Sequence, residues 1–431
     1  MTVHDLINRD IQCSCGRTHR CDIETLKIGA GAIGCLAEAV ALKNYSHILL
    51  VADSNTYPLC ADRVKAILGE RLEGVCLFET DDFLVPDEES IKAIEERLSK
   101  KTDLILGIGS GVINDLCKYV SFFHGIKSGI IATATSMDGY ASSGAAMIIG
   151  GMKITYNTHA PSIIIGDTDI LKDAPMEMIR AGYGDIIGKY SALCDWKLSA
   201  LVNGEYICPF VYDIVKDKTD EIRSLAQKIV SRDPDAIGKL METLVLIGAC
   251  LTLLSTTRPG SGSEHHLSHF FEITGLIEGK PYLLHGTDVA HATVVTAGLR
   301  EKIVKLSAPE FHHISDGDRE RCYKKIYHGY WSEVSKIQNE AGRYQKQKDD
   351  VYTAHWDEVR SILAECPSAR EIQDMLTEVG FDLNEFEAAY GSEKIKNSVW
   401  FGKDLKDRYS VLWLWCDLFL SNEEARKIYE N

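Results

Sequence analysis

DLILGIGSGVIND, residues Asp103 to Asp115, decides the fold. A short apolar run ends in glycines at 107, 109 and 111, and the chain then opens a predicted helix. Glycines let a backbone turn tightly and approach a ligand, while a helix start offers amides and the positive end of a dipole to a pyrophosphate. The spacing differs from G-x-G-x-x-G, so a turn that binds nothing stays open as the alternative. A second loop, ATATSMDG (Ala132 to Gly139), also follows a predicted strand. It falls at the carboxyl end, where open α/β sheets bind ligands.

Working outward, SHILLVAD (Ser46 to Asp53), GVCLFET (Gly74 to Thr80), DLILGIG (Asp103 to Gly109), GIIATAT (Gly129 to Thr135) and PSIIIGD (Pro161 to Asp167) read as strands. Between two of them Ile91, Ile94 and Leu98 recur at helical spacing over Asp87 to Lys101, behind an acidic first turn. This rhythm predicts a parallel sheet covered on both faces. After Asp173-Ala174-Pro175 the pattern changes to long amphipathic segments, so the expected division is a Rossmann-like α/β domain over 1–173 and an all-helical domain over 174–431. Within the second, residues 310–400 are strongly charged, carry Trp331 and Trp356, and read as helices with solvated faces.

Two domains also suit 431 residues. Forty-seven Lys and Arg stand against 63 Asp and Glu, a net charge of -16. That balance argues against nucleic acid or an anionic membrane as partner, and an anionic substrate would need local cations or a metal. The opening MTVHDLINRD lacks a secretory layout, and Leu244 to Leu254 and Ser410 to Leu420 are short for a bilayer and read as buried helices, so a cytoplasmic protein is expected. Thirteen cysteines suit reduced thiols. Among them, Cys13, Cys15, His19 and Cys21 fall within nine positions. They read as a strand-turn-strand of structural cysteines, with zinc as the alternative.

Asp53, ending its strand, is placed to accept from an adenosine ribose and favour NAD, or to serve as a turn residue. SGSEHHLSH (Ser261 to His269) and LLHG (Leu283 to Gly286) bring four imidazoles within 21 positions. Buried imidazoles each need partners, so a metal is the economical explanation. GDIIGK (Gly184 to Lys189) supplies a carboxylate, Asp185, and two imidazoles with one carboxylate leave coordination positions open for substrate.

Together, the glycine turn, TSMDGYAS (Thr135 to Ser142), GDIIGK, SGSEHHLSH after Thr257-Arg258-Pro259, and LLHG resemble the metal-dependent dehydrogenases that include glycerol dehydrogenases and dehydroquinate synthases. They are most similar to sn-glycerol-1-phosphate dehydrogenases, particularly the bacterial arabinose-operon type. The resemblance spans roughly residues 10–300 and includes CSCGRTH (Cys13 to His19). It implies the dehydroquinate synthase-like fold, with metal ligands Asp185, His265 and His285 and with His266 and His269 nearby. It places Asp138 beside substrate and nicotinamide, and lines the cofactor cleft with Gly109, Ser110, Gly111, Asp115, Thr133 and Ser136. Asp185, where dehydroquinate synthases typically have Glu, favours the dehydrogenase branch.

The implied reaction is NAD(H)- or NADP(H)-linked reduction of dihydroxyacetone phosphate by a cytoplasmic homodimer holding one divalent ion, zinc or nickel, per subunit. His269 and Asp138 would relay the proton, and Lys189 and Arg258 are candidates for the phosphate. The alternatives are a dehydrogenase of an unphosphorylated polyol such as glycerol, and a dehydroquinate synthase-like lyase. The charged tract after about residue 305 has no counterpart in the resemblance, and Asn114 beside Asp115 departs from it.

Overall fold

The structure is a computed structural model that describes residues 1–80, 84–150 and 152–430. Its strands are β1 (Ile11–Gln12), β2 (Thr18–His19), β3 (Thr25–Gly29), β4 (Ile48–Asp53), β5 (Leu72–Phe78), β6 (Leu104–Gly109), β7 (Lys127–Ala132), β8 (Gly144–Ile149), β9 (Met152–Asn157) and β10 (Ile163–Asp167). Six of them form one parallel sheet in the order β3-β10-β7-β6-β4-β5. β1 with β2 and β8 with β9 make two antiparallel hairpins. Every residue of β6 is buried, as is β4 from Ile48 to Ala52. An unbroken apolar run, in place of alternation, is what a strand covered on both faces requires.

All five expected strands are present, with ends shifted by up to three residues. β3 is a sixth, unexpected strand at the sheet edge, where a mixed burial pattern hides it. The predicted helix Asp87 to Lys101 is shorter, Glu88–Glu95, begun by Asp87 accepting from the Ser90 amide at 2.9 Å. After β5 the chain returns to the far side of β4 to form β6. The strand order therefore reverses between β4 and β6, and their carboxyl ends carry Asp53 and Gly109.

The chain packs as two compact units, Met1–Ile186 with Asp213–Thr257, and Ile187–Tyr212 with Arg258–Asn431. The expected division at 173/174 follows the end of the last strand, whereas in space the sheet unit also takes helices up to 186 and over 213–257. The reason is the apolar helix Pro234–Leu254. Its Thr252 hydroxyl donates to the Ala141 carbonyl at 2.9 Å and accepts from the Ser143 amide at 3.0 Å, tying the helix to the loop before β8. Leu244 to Leu254, expected to be too short for a bilayer, is the second half of this 21-residue helix, which by length and composition alone could span one. It is a core helix, with 78% of its apolar window buried.

The second unit is helical, including Lys189–Asn203, Ser263–Glu278, His285–Val304, Asp316–Tyr327, Trp331–Ala341, Trp356–Leu363, Glu385–Phe401 and Val411–Phe419. Its charged tract buries more than its sequence suggests. Trp356, Tyr323, Tyr327 and Tyr352 are all inside. The Tyr327 hydroxyl donates to the Phe401 carbonyl at 2.7 Å, and the Tyr352 and Tyr409 hydroxyls meet at 2.6 Å. Trp331 is half-buried beneath the Lys324 ammonium. Among the described residues no cysteines are joined in a disulfide.

Candidate active site

At the rim of the sheet, β6 runs into the helix Gly111–Phe123, whose first turn is capped by no side chain. None of Gly107, Gly109 and Gly111 has a positive φ. A Cβ on Gly109 would fall 2.5 Å from the Ile113 side chain, and one on Gly111 would fall 2.7 Å from Met137. Contrary to the expectation of a tight turn, glycine is needed here because the helix and the following loop press against the strand end. The Thr133 amide donates to the Gly109 carbonyl at 3.0 Å, which joins the ends of β6 and β7.

Asp115 is committed to structure. One carboxylate oxygen accepts from the Ala146 amide at 3.0 Å and the other meets the Lys118 ammonium at 2.9 Å. Lys118, fully buried, also donates to the carbonyls of Gly139, Ser142 and Gly144. Asn114 donates to the Gly139 carbonyl at 3.2 Å. These two side chains, Lys118 unforeseen and Asn114 noted only as a departure, hold the loop that carries Ser136 and Asp138. A lysine in an amphipathic helix reads as surface, so only the fold exposes its role.

Asp185 is fully buried and accepts from the Asp138 amide at 2.9 Å, which fixes the start of the turn Asp138–Ala141. Tyr140 donates to the Ala134 carbonyl at 2.6 Å across the same loop, and burial pushes its hydroxyl pKa up. Asp53 accepts from the Asn55 and Thr56 amides at 2.9 and 2.8 Å through a single oxygen, so it is a turn former whatever else it binds. Thr56 in turn donates to the Ile108 carbonyl at 2.8 Å and stitches β4 to β6 at the point of reversal.

In the helical unit, His265 and His269 lie one turn apart on Ser263–Glu278, and His285 begins the next helix. Their ring centroids are 6.4 Å apart for 265 and 269, 5.2 Å for 265 and 285, and 5.6 Å for 269 and 285. Each ring turns its Nδ1 to a carboxylate: His265 to Glu264 at 2.7 Å, His269 to Glu272 at 3.1 Å and His285 to the other oxygen of Glu272 at 3.3 Å. The Ser268 hydroxyl lies 3.2 Å from the same His285 nitrogen. These partners assign the hydrogen to Nδ1. Imidazoles backed by carboxylates are how proteins prepare a divalent-metal site, so this donor set fits the expected ion.

His266 is set apart. It is buried, and neither ring nitrogen has a hydrogen-bond partner among the described residues. Burial first, and then the charges of Arg408, Lys406 and Arg258, hold its pKa well below the ordinary value, so the ring is neutral.

The start of the imidazole helix is fixed by a buried pair. Arg300 donates to Asp195 at 2.8 Å and to the hydroxyls of Ser191 and Ser263 at 3.0 Å each. Asp195 also accepts from the amides of Ser263 and Val411 at 2.6 and 3.0 Å. Burial opposes the Arg300 charge, yet the Asp195 carboxylate outweighs it and raises the guanidinium pKa. The start of the following helix is pinned by Tyr390, which donates to Asp288 at 2.8 Å, accepts from the Leu283 amide at 2.9 Å and stacks on Phe271.

Three cations brace the loop before Ser263. Lys189, fully buried, donates to the Gly260 carbonyl at 2.9 Å. Arg258, 1% exposed, makes a two-pronged pair with Glu205 at 2.8 and 2.6 Å. Burial would raise the Glu205 pKa, but Arg258 holds it below the usual range. Arg408, which sequence reading missed, is half-buried and donates to the Ser261 carbonyl at 2.9 Å. Burial and the neighbouring Arg258 charge pull its pKa down to about 10.

Comparison with known proteins follows this architecture. The family model described as iron-containing alcohol dehydrogenase matches residues 27–175. The chain is 35% identical over 293 residues to the glycerol-1-phosphate dehydrogenase (NAD(P)+) of Halalkalibacterium halodurans, covering 67% of this chain and 73% of that one. It is 28% identical over 388 residues to the protein of the same name from Geobacillus stearothermophilus, covering 88% and 89%. Among solved structures it is similar to the iron-containing alcohol dehydrogenase of Thermococcus thioreducens, with a TM-score of 0.59 at 16% identity over 95% and 98% of the two chains, a likeness of fold. A parallel sheet followed by a helical unit, ordered motifs and identity at this level lead to one assignment: the chain belongs to the glycerol-1-phosphate dehydrogenase family, within the iron-containing alcohol dehydrogenases.

Proposed function

We propose that the chain catalyses the reversible NAD(P)H-linked reduction of dihydroxyacetone phosphate to sn-glycerol 1-phosphate, with one divalent ion per subunit. The observation that carries this reading is the helix start at Ser263, where carboxylate-backed imidazoles follow a loop braced by three cations. Asp185, His265 and His285 are the residues to hold the ion, and an O,N,N donor set accepts zinc or nickel. When bound, the ion polarises the ketone as a Lewis acid, and the dinucleotide supplies the hydride.

The chain's own residues do the rest. The glycine-rich end of β6, with Thr133 and Ser136, lines the dinucleotide, and Asp53 meets its ribose. Asp115 and Lys118 keep the Ser136–Asp138 loop in place. Asp185 fixes the Asp138 backbone, so the residue expected beside substrate is positioned by the residue expected to hold metal. His269 exchanges the proton with the product oxygen through Nε2 while Glu272 steadies the imidazolium form at Nδ1. Arg408 faces the substrate phosphate, and the buried Lys189 and Arg258 add field from behind.

The test follows NADH and NADPH absorbance with dihydroxyacetone phosphate and with dihydroxyacetone, on protein stripped of metal and resupplied with zinc or nickel. Metal-dependent turnover confined to the phosphorylated ketone, with the 1-phosphate as product by chiral analysis, is the expected result. Turnover of dihydroxyacetone alone would transfer the assignment to a polyol dehydrogenase. Arg408→Met should raise KM for the phosphorylated ketone with little change in kcat, and His285→Ala should lose both metal and turnover. The resemblance supports a cytoplasmic homodimer, which sedimentation and cell fractionation would check.

A further inference from the structure

We propose that the β1–β2 hairpin is a second metal site, in which Cys13, Cys15 and His19 bind a zinc-class divalent ion. The hairpin is built to gather these three. Ile11 pairs with His19 and Gln12 with Thr18, the Cys13 amide donates to the Arg17 carbonyl at 3.1 Å, and the Gly16 amide returns to the Cys13 carbonyl at 3.0 Å. The turn needs φ of +84° at residue 16, which glycine supplies without strain.

The ligand atoms of Cys13, Cys15 and His19 lie within 4.8 Å of one another. Zinc bonds of about 2.3 Å to sulfur and about 2.0 Å to nitrogen in a tetrahedron put sulfurs about 3.8 Å apart and sulfur and nitrogen about 3.5 Å apart. Cys15 Sγ is 3.3 Å from His19 Nε2.

The imidazole carries a second, independent sign. His19 is 2% exposed and turns Nδ1 to the Leu253 carbonyl at 3.1 Å, on the core helix Pro234–Leu254. That bond assigns the hydrogen to Nδ1 and aims the Nε2 lone pair at the thiols, the arrangement in which a metal-bound histidine donates its other N–H to a carbonyl. Cys13 and Cys15 are partly exposed, which gives an ion a way in. Cys21, fourth in the sequence cluster, stays out: it is buried, and its sulfur is not among the ligand atoms that converge. The fourth coordination position belongs to water or to a residue outside the hairpin. Binding releases the two thiol protons and ties the hairpin to the sheet unit's core helix through His19, so the ion is structural.

The site is sulfur-rich, whereas the catalytic set offers only nitrogen and oxygen, so cobalt distinguishes them. The full chain, reduced and freed of metal, is titrated anaerobically with Co2+. The expected result is thiolate-to-cobalt charge-transfer absorption in the near ultraviolet that saturates within two ions per chain, the catalytic set taking the other without such a band, and is displaced by zinc. The band should be lost in Cys13→Ser and in Cys15→Ser and kept in His285→Ala, which loses turnover. Zinc-edge absorption spectroscopy of the untreated protein should show sulfur scatterers. No thiolate band in the wild-type protein, or a band unchanged in both serine variants, overturns the proposal. The wild-type titration depends on no variant's folding, and failure of the dehydrogenase reading would leave the band in place.

Discussion

At the end of β6 the chain shapes its proposed site by leaving atoms out, while at the helix Ser263–Glu278 it does so by supplying them. Gly109 and Gly111 are needed because Ile113 and Met137 occupy the space a Cβ would take. The imidazoles, by contrast, are useful only because Glu264 and Glu272 orient them and the Asp195–Arg300 pair sets the helix start. The sheet side should therefore fail when atoms are added and the helical side when they are removed.

The largest effect is expected on the helical side, from Asp195→Ala. It leaves Arg300 buried without its anion and orphans the Ser263 and Val411 amides, at a cost of about 3–5 kcal/mol of stability in denaturant unfolding. Asp195→Asn, which keeps an acceptor but not the charge, should lose nearly as much; wild-type stability in that variant would break the electrostatic account.

Glu272→Ala comes next. Metal affinity should fall about 10–100-fold as two rings lose their orienting acceptor, while dinucleotide binding measured by fluorescence holds. The converse change is Gly109→Ala, where the added methyl must displace Ile113 at about 1–3 kcal/mol. Dinucleotide affinity should drop and metal affinity should not. If both fall together in either variant, the two sides are not independent and the comparison fails.

The smallest effect concerns pH. Burial raises the Asp417 carboxyl from 3.8 to about 7, against the opposing charge of His313. Between those values the folded state binds more protons than the unfolded, so stability falls as pH rises through the window and levels off above about 7. With 24% of the side chain exposed, the effect should be only about 1 kcal/mol. Asp417→Asn should gain that much at about pH 8 and nothing near pH 4, read by thermal melts at both.

What could be read beforehand divides along the same line. The inner strands are legible because a sheet covered on both faces demands continuous apolar runs, whereas β3, at the edge with a mixed pattern, is not. The glycines mark the right loop, but their reason, contact with Ile113 and Met137, needs the fold. Histidines crowded into a short stretch announce a site by composition alone. Their supports do not: Glu272 and Lys118 look like solvated helix faces, and Asp195 finds Arg300 across 105 positions with nothing local to signal it. Arg408 lies in the charged tract for which the resemblance offered no pattern.

The Tyr390 hydroxyl that pins Asp288 is supplied 102 positions downstream. At about 5–20 residues per second, a ribosome delivers the imidazoles roughly 5–20 s before this brace. During that interval the three histidines and the two carboxylates that orient them await the contact that fixes the start of the second helix. The geometry of this imidazole cluster is therefore completed late in synthesis, only once the segment that carries Tyr390 has been made.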